Sequence, residues 1–261
     1  MSDDEILYAV ENGVGTITLN RPQARNALTF AMYERIAEIC RKPADHGDPR
    51  VIIMTGAGEK AFGAGTDISQ FRAFESAEDA LAYEERIETV IGTIERCAVP
   101  TLAAISGAVT GGGAAIALAC DLRIASVTAR FGFPIARTLG NCLSMENYAR
   151  LYAMLGPARV KDIVFTARLV EAEEGQRFGL YSELLPDHAA LMRRAGGLAQ
   201  IIAGHAPLTM RATKEAMRRL TAAAADGLEG KDLVTLCYTS ADFREGMEAF
   251  LAKRTPNWTG R

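Results

Sequence analysis

The sequence has no long run of one charge sign. Its 261 residues carry 29 Lys and Arg against 32 Asp and Glu, a formal net charge of −3. Nucleic acid and anionic membrane surfaces therefore have no electrostatic support as partners. No apolar run is long enough to span a bilayer: the longest, around Gly111 to Cys120, is bounded by Asp121 and Arg123. The acidic start Met-Ser-Asp-Asp-Glu is unlike a secretion signal. Cysteine is sparse: Cys40, Cys97, Cys120, Cys142 and Cys237 are scattered, odd in number and never in a CxxC pair. Such cysteines are expected to be buried thiols in a reducing cytoplasm. The three histidines, His46, His188 and His205, lack ligand spacing, so no metal site is expected. No fixed-period repeat and no low-complexity segment is present. The remainder, 49% hydrophobic and 23% charged, fits one large α/β domain or a domain with a small appendage.

What is present alternates between strand-like and helix-like segments. Ile6 to Val10 and Val14 to Leu19 read as two strands joined by the hairpin signal Asn12-Gly13. Thr29 is placed to cap a helix reaching about Arg41. Val51 to Thr55 is a continuous apolar run, as expected of a buried strand. A long helix is predicted from Ser76 to Cys97, then a strand over Thr101 to Val109, then a helix, then a strand over Leu122 to Ala125. This alternation predicts a sheet wrapped by helices. After Ser144 the pattern is mainly helical: 145–155, 158–165, 171–178, a short strand at 183–185, then 189–204. The C-terminal third reads as helices over 208–224, 231–238 and, after the cap Ser240, 240–253. A composition shift near residue 195 divides an α/β core, 1–195, from a C-terminal helical region, 196–261.

Thr110-Gly-Gly-Gly-Ala-Ala-Ile-Ala-Leu-Ala-Cys-Asp121 is the most informative stretch. Its glycines let the backbone approach a ligand closely. The first-turn N–H groups of the helix they open have no intrahelical partner and carry partial positive charge. That is a donor site for an oxygen gaining negative charge. Tight helix–sheet packing explains such a turn equally well. A second Gly/Ala-rich link, Lys60-Ala-Phe-Gly-Ala-Gly-Thr-Asp-Ile68, leaves the strand at Val51 to Thr55. Two such turns can aim two backbone donors at one oxygen.

Four ordered segments resemble the enoyl-CoA hydratase/isomerase (crotonase) superfamily: Asn20 to Leu28, Ala61 to Ile68, Pro100 to Asp121, and Phe243 to Arg254. The resemblance implies a crotonase-like α/β spiral of ββα units with a C-terminal helical region. It implies a homotrimer or homohexamer that binds acyl-CoA thioesters, with CoA entering as part of the substrate and no separate cofactor. By motif position, the oxyanion donors are the backbone N–H groups of Thr66 and Gly112. Ala24, Arg25, Lys60, Phe62, Ala64, Asp67 and Ile68 then lie along the CoA. Lys253, with Arg254, falls where the C-terminal helix can reach its phosphates. For Arg25 and Lys253 the plainer reading is a solvated surface cation. Asp121 resembles a structural aspartate of the family.

The pattern breaks at the acids. The resemblance places one hydratase glutamate three residues after the middle glycine, where this chain has Ala115. It places the other after the proline of Phe131-Gly-Phe-Pro134, where this chain has Ile135. Neither residue transfers protons. Replacements are sought in Arg137, Asn141, Cys142, Ser144 and Glu146, of which Glu146 is the only carboxylate. Its competing role is a helix N-terminal acid after the Ser144 cap. Cys142 reads as a buried inert thiol. Glu84, Glu85 and Glu88 on the Ser76–Cys97 helix read as one solvated face. The expectation is therefore an acyl-CoA enzyme with an oxyanion hole and a non-standard acid/base for isomerisation, lysis or hydrolysis. A non-catalytic acyl-CoA-binding homologue is the other reading.

Overall fold

The computed structural model describes residues 4–74, 76–223 and 227–261. It opens with a hairpin, β1 (Ile6–Glu11) and β2 (Val14–Leu19). Asn12 and Gly13 at its tip both have positive φ, 51° and 77°, as a two-residue turn matching strand twist requires. Helix α1 (Phe30–Arg41) starts at Thr29, whose hydroxyl accepts from the Met32 N–H. The chain then repeats a strand–strand–helix unit: β3 (Val51–Gly56), β4 (Ala61–Gly63), α2 (Ala77–Glu95); β5 (Thr101–Ile105), β6 (Ala108–Thr110), α3 (Gly111–Ala119); β7 (Leu122–Ser126), β8 (Arg130–Gly132), α4 (Ile135–Thr138). Helix α5 (Met145–Thr166), strand β9 (Val170–Glu171), helix α6 (Ala172–Arg177) and strand β10 (Glu183–Leu185) follow. The chain ends in α7 (His188–Ala203), α8 (Pro207–Ala223), α9 (Lys231–Tyr238) and α10 (Ala241–Leu251).

Each unit contributes one strand to each of two sheets. One sheet has the order β1-β2-β3-β5-β7-β10, the other β4-β6-β8-β9. Successive strands β2, β3, β5 and β7 pair in parallel, as do β4, β6 and β8. This is the expected spiral of ββα units. Strand β3 is buried at all six positions because both faces are covered. Ile52 and Met54 face the main core beneath α1, α2 and α3. Val51 and Ile53 face a second core, closed by Leu191, Ala195, Ala199 and Ile202 of α7.

Three expectations change. The single strand expected over Thr101 to Val109 is two strands in different sheets. Gly107 turns the chain between them at φ +65°, and a Cβ there would meet the Lys60 carbonyl oxygen at 2.2 Å. The two helices expected over 145–165 run end to end, kinked where Gly156 adopts φ 74° before Pro157. The boundary expected after residue 195 falls inside α7, whose apolar face covers the six-stranded sheet, and Met210 of α8 still packs on the same core.

A candidate acyl-CoA site

The loop before α1 is fixed by one side chain. Asn26 is fully buried with φ 55°. Its amide donates to the carbonyls of Ala57 and Ala61 at 3.1 and 2.7 Å, and its Oδ1 accepts from the Arg21 N–H at 3.0 Å. Asn26 thereby ties the turn carrying Ala24 and Arg25 to the strand leading into Ala64. The Ala64 N–H then donates to the Arg25 carbonyl at 3.1 Å. Arg21 also pairs with Asp67 at 2.9 Å. Burial pulls the Asp67 carboxyl up, but hydrogen bonds from Ser69 and Arg21 outweigh it and hold the group below its usual value.

Thr66 and Gly112 both line a cavity of about 580 Å³. Thr66 forms an isolated parallel bridge with Leu28. That bridge uses the Gly65 carbonyl and the Asp67 N–H, both at 2.8 Å. The N–H of Thr66 itself is left facing away from Leu28. Gly112 is the second residue of α3, where the helix has no acceptor for its N–H. The glycines also permit close packing: a Cβ at Gly113 would stand 2.3 Å from the Gly63 carbonyl oxygen, and one at Gly112 would stand 1.9 Å from the Tyr33 hydroxyl. The tight packing weighed on the sequence is present at both glycines.

The cavity brings together Ala24, Arg25, Ala64, Thr66, Asp67, Ile68 and Gly112 of the expected set. Ala115 and Ile135 line it too, as apolar wall. Phe62 does not. It is fully buried on β4 in the main core, so it is a packing residue beneath the loop and not a CoA contact. Lys60 and Lys253 are exposed and lie outside the cavity lining. Phe250 and Leu251, just before Lys253, do line it.

Glu146 is also misplaced for catalysis. It is exposed in the first turn of α5, behind the Ser144 cap, and is absent from the cavity wall. Arg137 is exposed, and Asp121 is engaged by Thr101 and by Lys214 at 2.6 Å as a structural acid. Besides Asp67, which pairs with Arg21, the carboxylate lining the cavity is Glu84, on α2. The Tyr238 hydroxyl donates to its Oε1, and Tyr238 in turn accepts from the Asn141 amide at 3.1 Å. Burial, the largest influence, pushes the Glu84 carboxyl up to about 7; the Tyr238 hydrogen bond opposes this, and the charges of Glu88 and Glu146 add to it. Glu88, one turn on, is held with Glu95 by the buried Arg150. Glu85 is exposed. A helical face of glutamates thus splits into three environments, because α5 and α9 cover part of it. The sequence carries one signal for this: Tyr83 and Ile87 flank Glu84 at the spacing of a buried stripe.

Among the described residues, no group of three or more His, Cys, Asp or Glu is placed to hold a metal ion. No helix among them is long and apolar enough to cross a membrane.

Residues 9–261 match the family model described as enoyl-CoA hydratase/isomerase. The chain belongs to this family. It is 34% identical to a probable enoyl-CoA hydratase of Mycobacterium tuberculosis, over the full length of both chains. It is 31% identical to a short-chain-enoyl-CoA hydratase of Clostridium acetobutylicum, covering 97% of each. A methylmalonyl-CoA decarboxylase, solved with 2-nitronate-propionyl-CoA, superposes with a TM-score of 0.88 at 25% identity over all of both chains. As a member of the enoyl-CoA hydratase/isomerase family, the protein is an acyl-CoA-binding enzyme. The spiral fold expected from four short segments is the family's fold.

Proposed function

We propose that the protein shifts protons on the carbon chain of an enoyl-CoA thioester, acting as a double-bond isomerase. Glu84 carries the reading. It is the carboxylate in the cavity wall beyond the CoA-side Asp67, its pKa is raised to about 7, and the hydratase positions 115 and 135 hold Ala and Ile. One base that removes a proton beside the thioester and returns it further along the chain suffices for a 1,3-shift. Hydration in the usual family manner needs two acids to hold and activate water. The thioester oxygen gains charge as the proton leaves, and the N–H groups of Thr66 and Gly112 are the donors that stabilise it. Arg25, exposed at the cavity mouth, is suited to the CoA phosphates.

The neighbour crystallised with a nitronate analogue supports an enolate-like intermediate, because a nitronate places negative charge beside the thioester. The test is to mix purified protein with a 3-enoyl-CoA and follow the rise of conjugated-thioester absorbance. Crotonyl-CoA hydration and methylmalonyl-CoA decarboxylation are assayed alongside. Isomerisation is expected to fall about 10²–10⁴-fold in Glu84→Gln, the span of a lost general base. Efficient hydration by the native protein, or an unchanged Glu84→Gln, overturns the reading.

A further inference from the structure

Glu84 reaches the cavity wall held by a second helix. Tyr238 is the last residue of α9, and its ring packs on Phe243 and Tyr83, with centroids 4.8 and 6.3 Å away. Those contacts fix where its hydroxyl points, and it meets Oε1 of Glu84. An ionised carboxylate only accepts, so the single O–H of Tyr238 is directed at Glu84.

The lone pairs of that hydroxyl face Asn141, whose Nδ2 lies 3.1 Å away. The same nitrogen lies 3.3 Å from the Cys142 carbonyl oxygen, which only accepts. Turning the amide over would set its oxygen against that carbonyl. The direction Asn141 to Tyr238 to Glu84 is therefore set by a pure acceptor at each end. Oε2 of Glu84 is different. It has no hydrogen-bond partner among the described residues, and it is not one of the two buried polar atoms left without one, Asn141 Oδ1 and the Tyr181 hydroxyl. Oε2 thus keeps open surface, on a residue that lines the cavity.

We propose that Tyr238 is a positioning residue for the base: by holding Oε1 it leaves Oε2 to take the proton from the carbon beside the thioester and return it two carbons along the chain. The proton removed is the proton returned, so no other reactant is consumed. This rests on the isomerase reading of Glu84 and assigns the residue that aims it. Burial raises the Glu84 pKa, and the Tyr238 hydrogen bond opposes that rise. The charges of Glu88 on α2 and Glu146 on α5 add to it. The other titratable groups about Glu84 stay neutral: contact with Cys237 and burial raise the Cys142 thiol, and burial raises the Tyr33, Tyr83 and Tyr148 phenols. Cys237 faces Cys142, whose contact lowers its thiol to about 7.

The test is the kcat–pH profile of the full-length protein on a 3-enoyl-CoA, from about pH 5 to 9. Tyr238→Phe keeps the ring and deletes the O–H. Losing a hydrogen bond to a charged group raises the pKa of the base, so the rising limb is expected to move up by about one to two pH units. At pH 7 kcat then falls roughly 5- to 50-fold with KM little changed, and much of the loss is recovered by about pH 9. Asn141→Leu removes the amide behind Tyr238, and a smaller move in the same direction is expected. Cys237→Ser is expected to leave the limb in place. An unmoved limb in Tyr238→Phe, or a loss of equal size at every pH, overturns the positioning role alone, provided Glu84→Gln still loses turnover. Should Tyr238→Phe fold poorly, an unmoved limb in Asn141→Leu overturns it equally. An active Glu84→Gln, or a limb that vanishes in Cys237→Ser, overturns Glu84 as the base and this proposal with it.

Discussion

A carboxyl that titrates near 7 inside an apolar wall weakens the fold and suits proton transfer. The sign of the Glu84 effect on stability follows from linkage. Its native pKa, about 7, lies above its usual 4.5. Between those values the native state holds a proton that the unfolded state has released, so stability falls as pH rises through that window. Above pH 7 the cost reaches its full value, on the order of 3 kcal/mol. Glu84→Gln is therefore expected to raise Tm at pH 8 and leave it nearly unchanged at pH 4, as calorimetry at the two pH values would show. Isomerase kcat should rise with pH through about 7 as the base deprotonates. A pH-independent kcat between 5 and 8 would argue against Glu84 as the base. Gly112 makes a second residue-scale prediction. Gly112→Ala drives a methyl to 1.9 Å from the Tyr33 hydroxyl, so overpacking should cost about 1–3 kcal/mol. Adding Tyr33→Phe should recover part of that loss, measured as a double-mutant cycle in denaturant.

At the scale of elements, α2 and α5 are joined by the Arg150 guanidinium, which pairs with Glu88 and with Glu95. The Arg150 side chain is only 6% exposed, so its removal leaves two carboxylates facing each other in a poorly solvated seam. Arg150→Ala should destabilise by about 3 kcal/mol or more, read from urea unfolding. The same seam decides where Glu84 lies, since it brings α5 over one side of α2. Short elements were the hardest to anticipate. β4, β8 and β9 have only two or three residues and no period of their own, so nothing in the local pattern marks them as strands. β4 and β8 exist because the chain leaving β3 and β7 enters a second sheet beside β6, and β9 because it pairs antiparallel with β8.

For the whole molecule, α8 stands out. It buries no residue within its own chain, although Leu208, Met217 and Leu220 are apolar and more than half exposed. Leu236 on α9 is 70% exposed. We expect this C-terminal region to be covered by further copies of the chain, in a homotrimer or homohexamer. Analytical ultracentrifugation should return three or six times the 28.1 kDa chain mass. A stable monomer at micromolar concentration would contradict it. Polar substitution of Leu220 and Leu236 together should lower that mass without unfolding the chain.

The sequence by itself determined the spiral and the segments that line one side of the cavity. Apolar runs such as Val51 to Thr55, the glycines at 111–113 and the Asn20–Leu28 turn are local signals, because backbone donors and buried strands depend on a few adjacent residues. Ala115 and Ile135 are read directly too, at the positions where the family resemblance implies the hydratase glutamates. Which glutamate lines the cavity was decided only by tertiary structure. On sequence Glu84, Glu85 and Glu88 are equivalent helix carboxylates, and Glu146 is the most prominent acid in the altered segment. Packing separates them: α9 brings Tyr238 onto Glu84, Arg150 takes Glu88, and Glu85 and Glu146 remain in solvent. The hold on Glu84 is of the same kind, for Glu84, Asn141 and Tyr238 meet from three segments far apart in sequence. The pKa and reach of a side chain are set by what surrounds it in space, and its sequence neighbours supply only part of that surrounding.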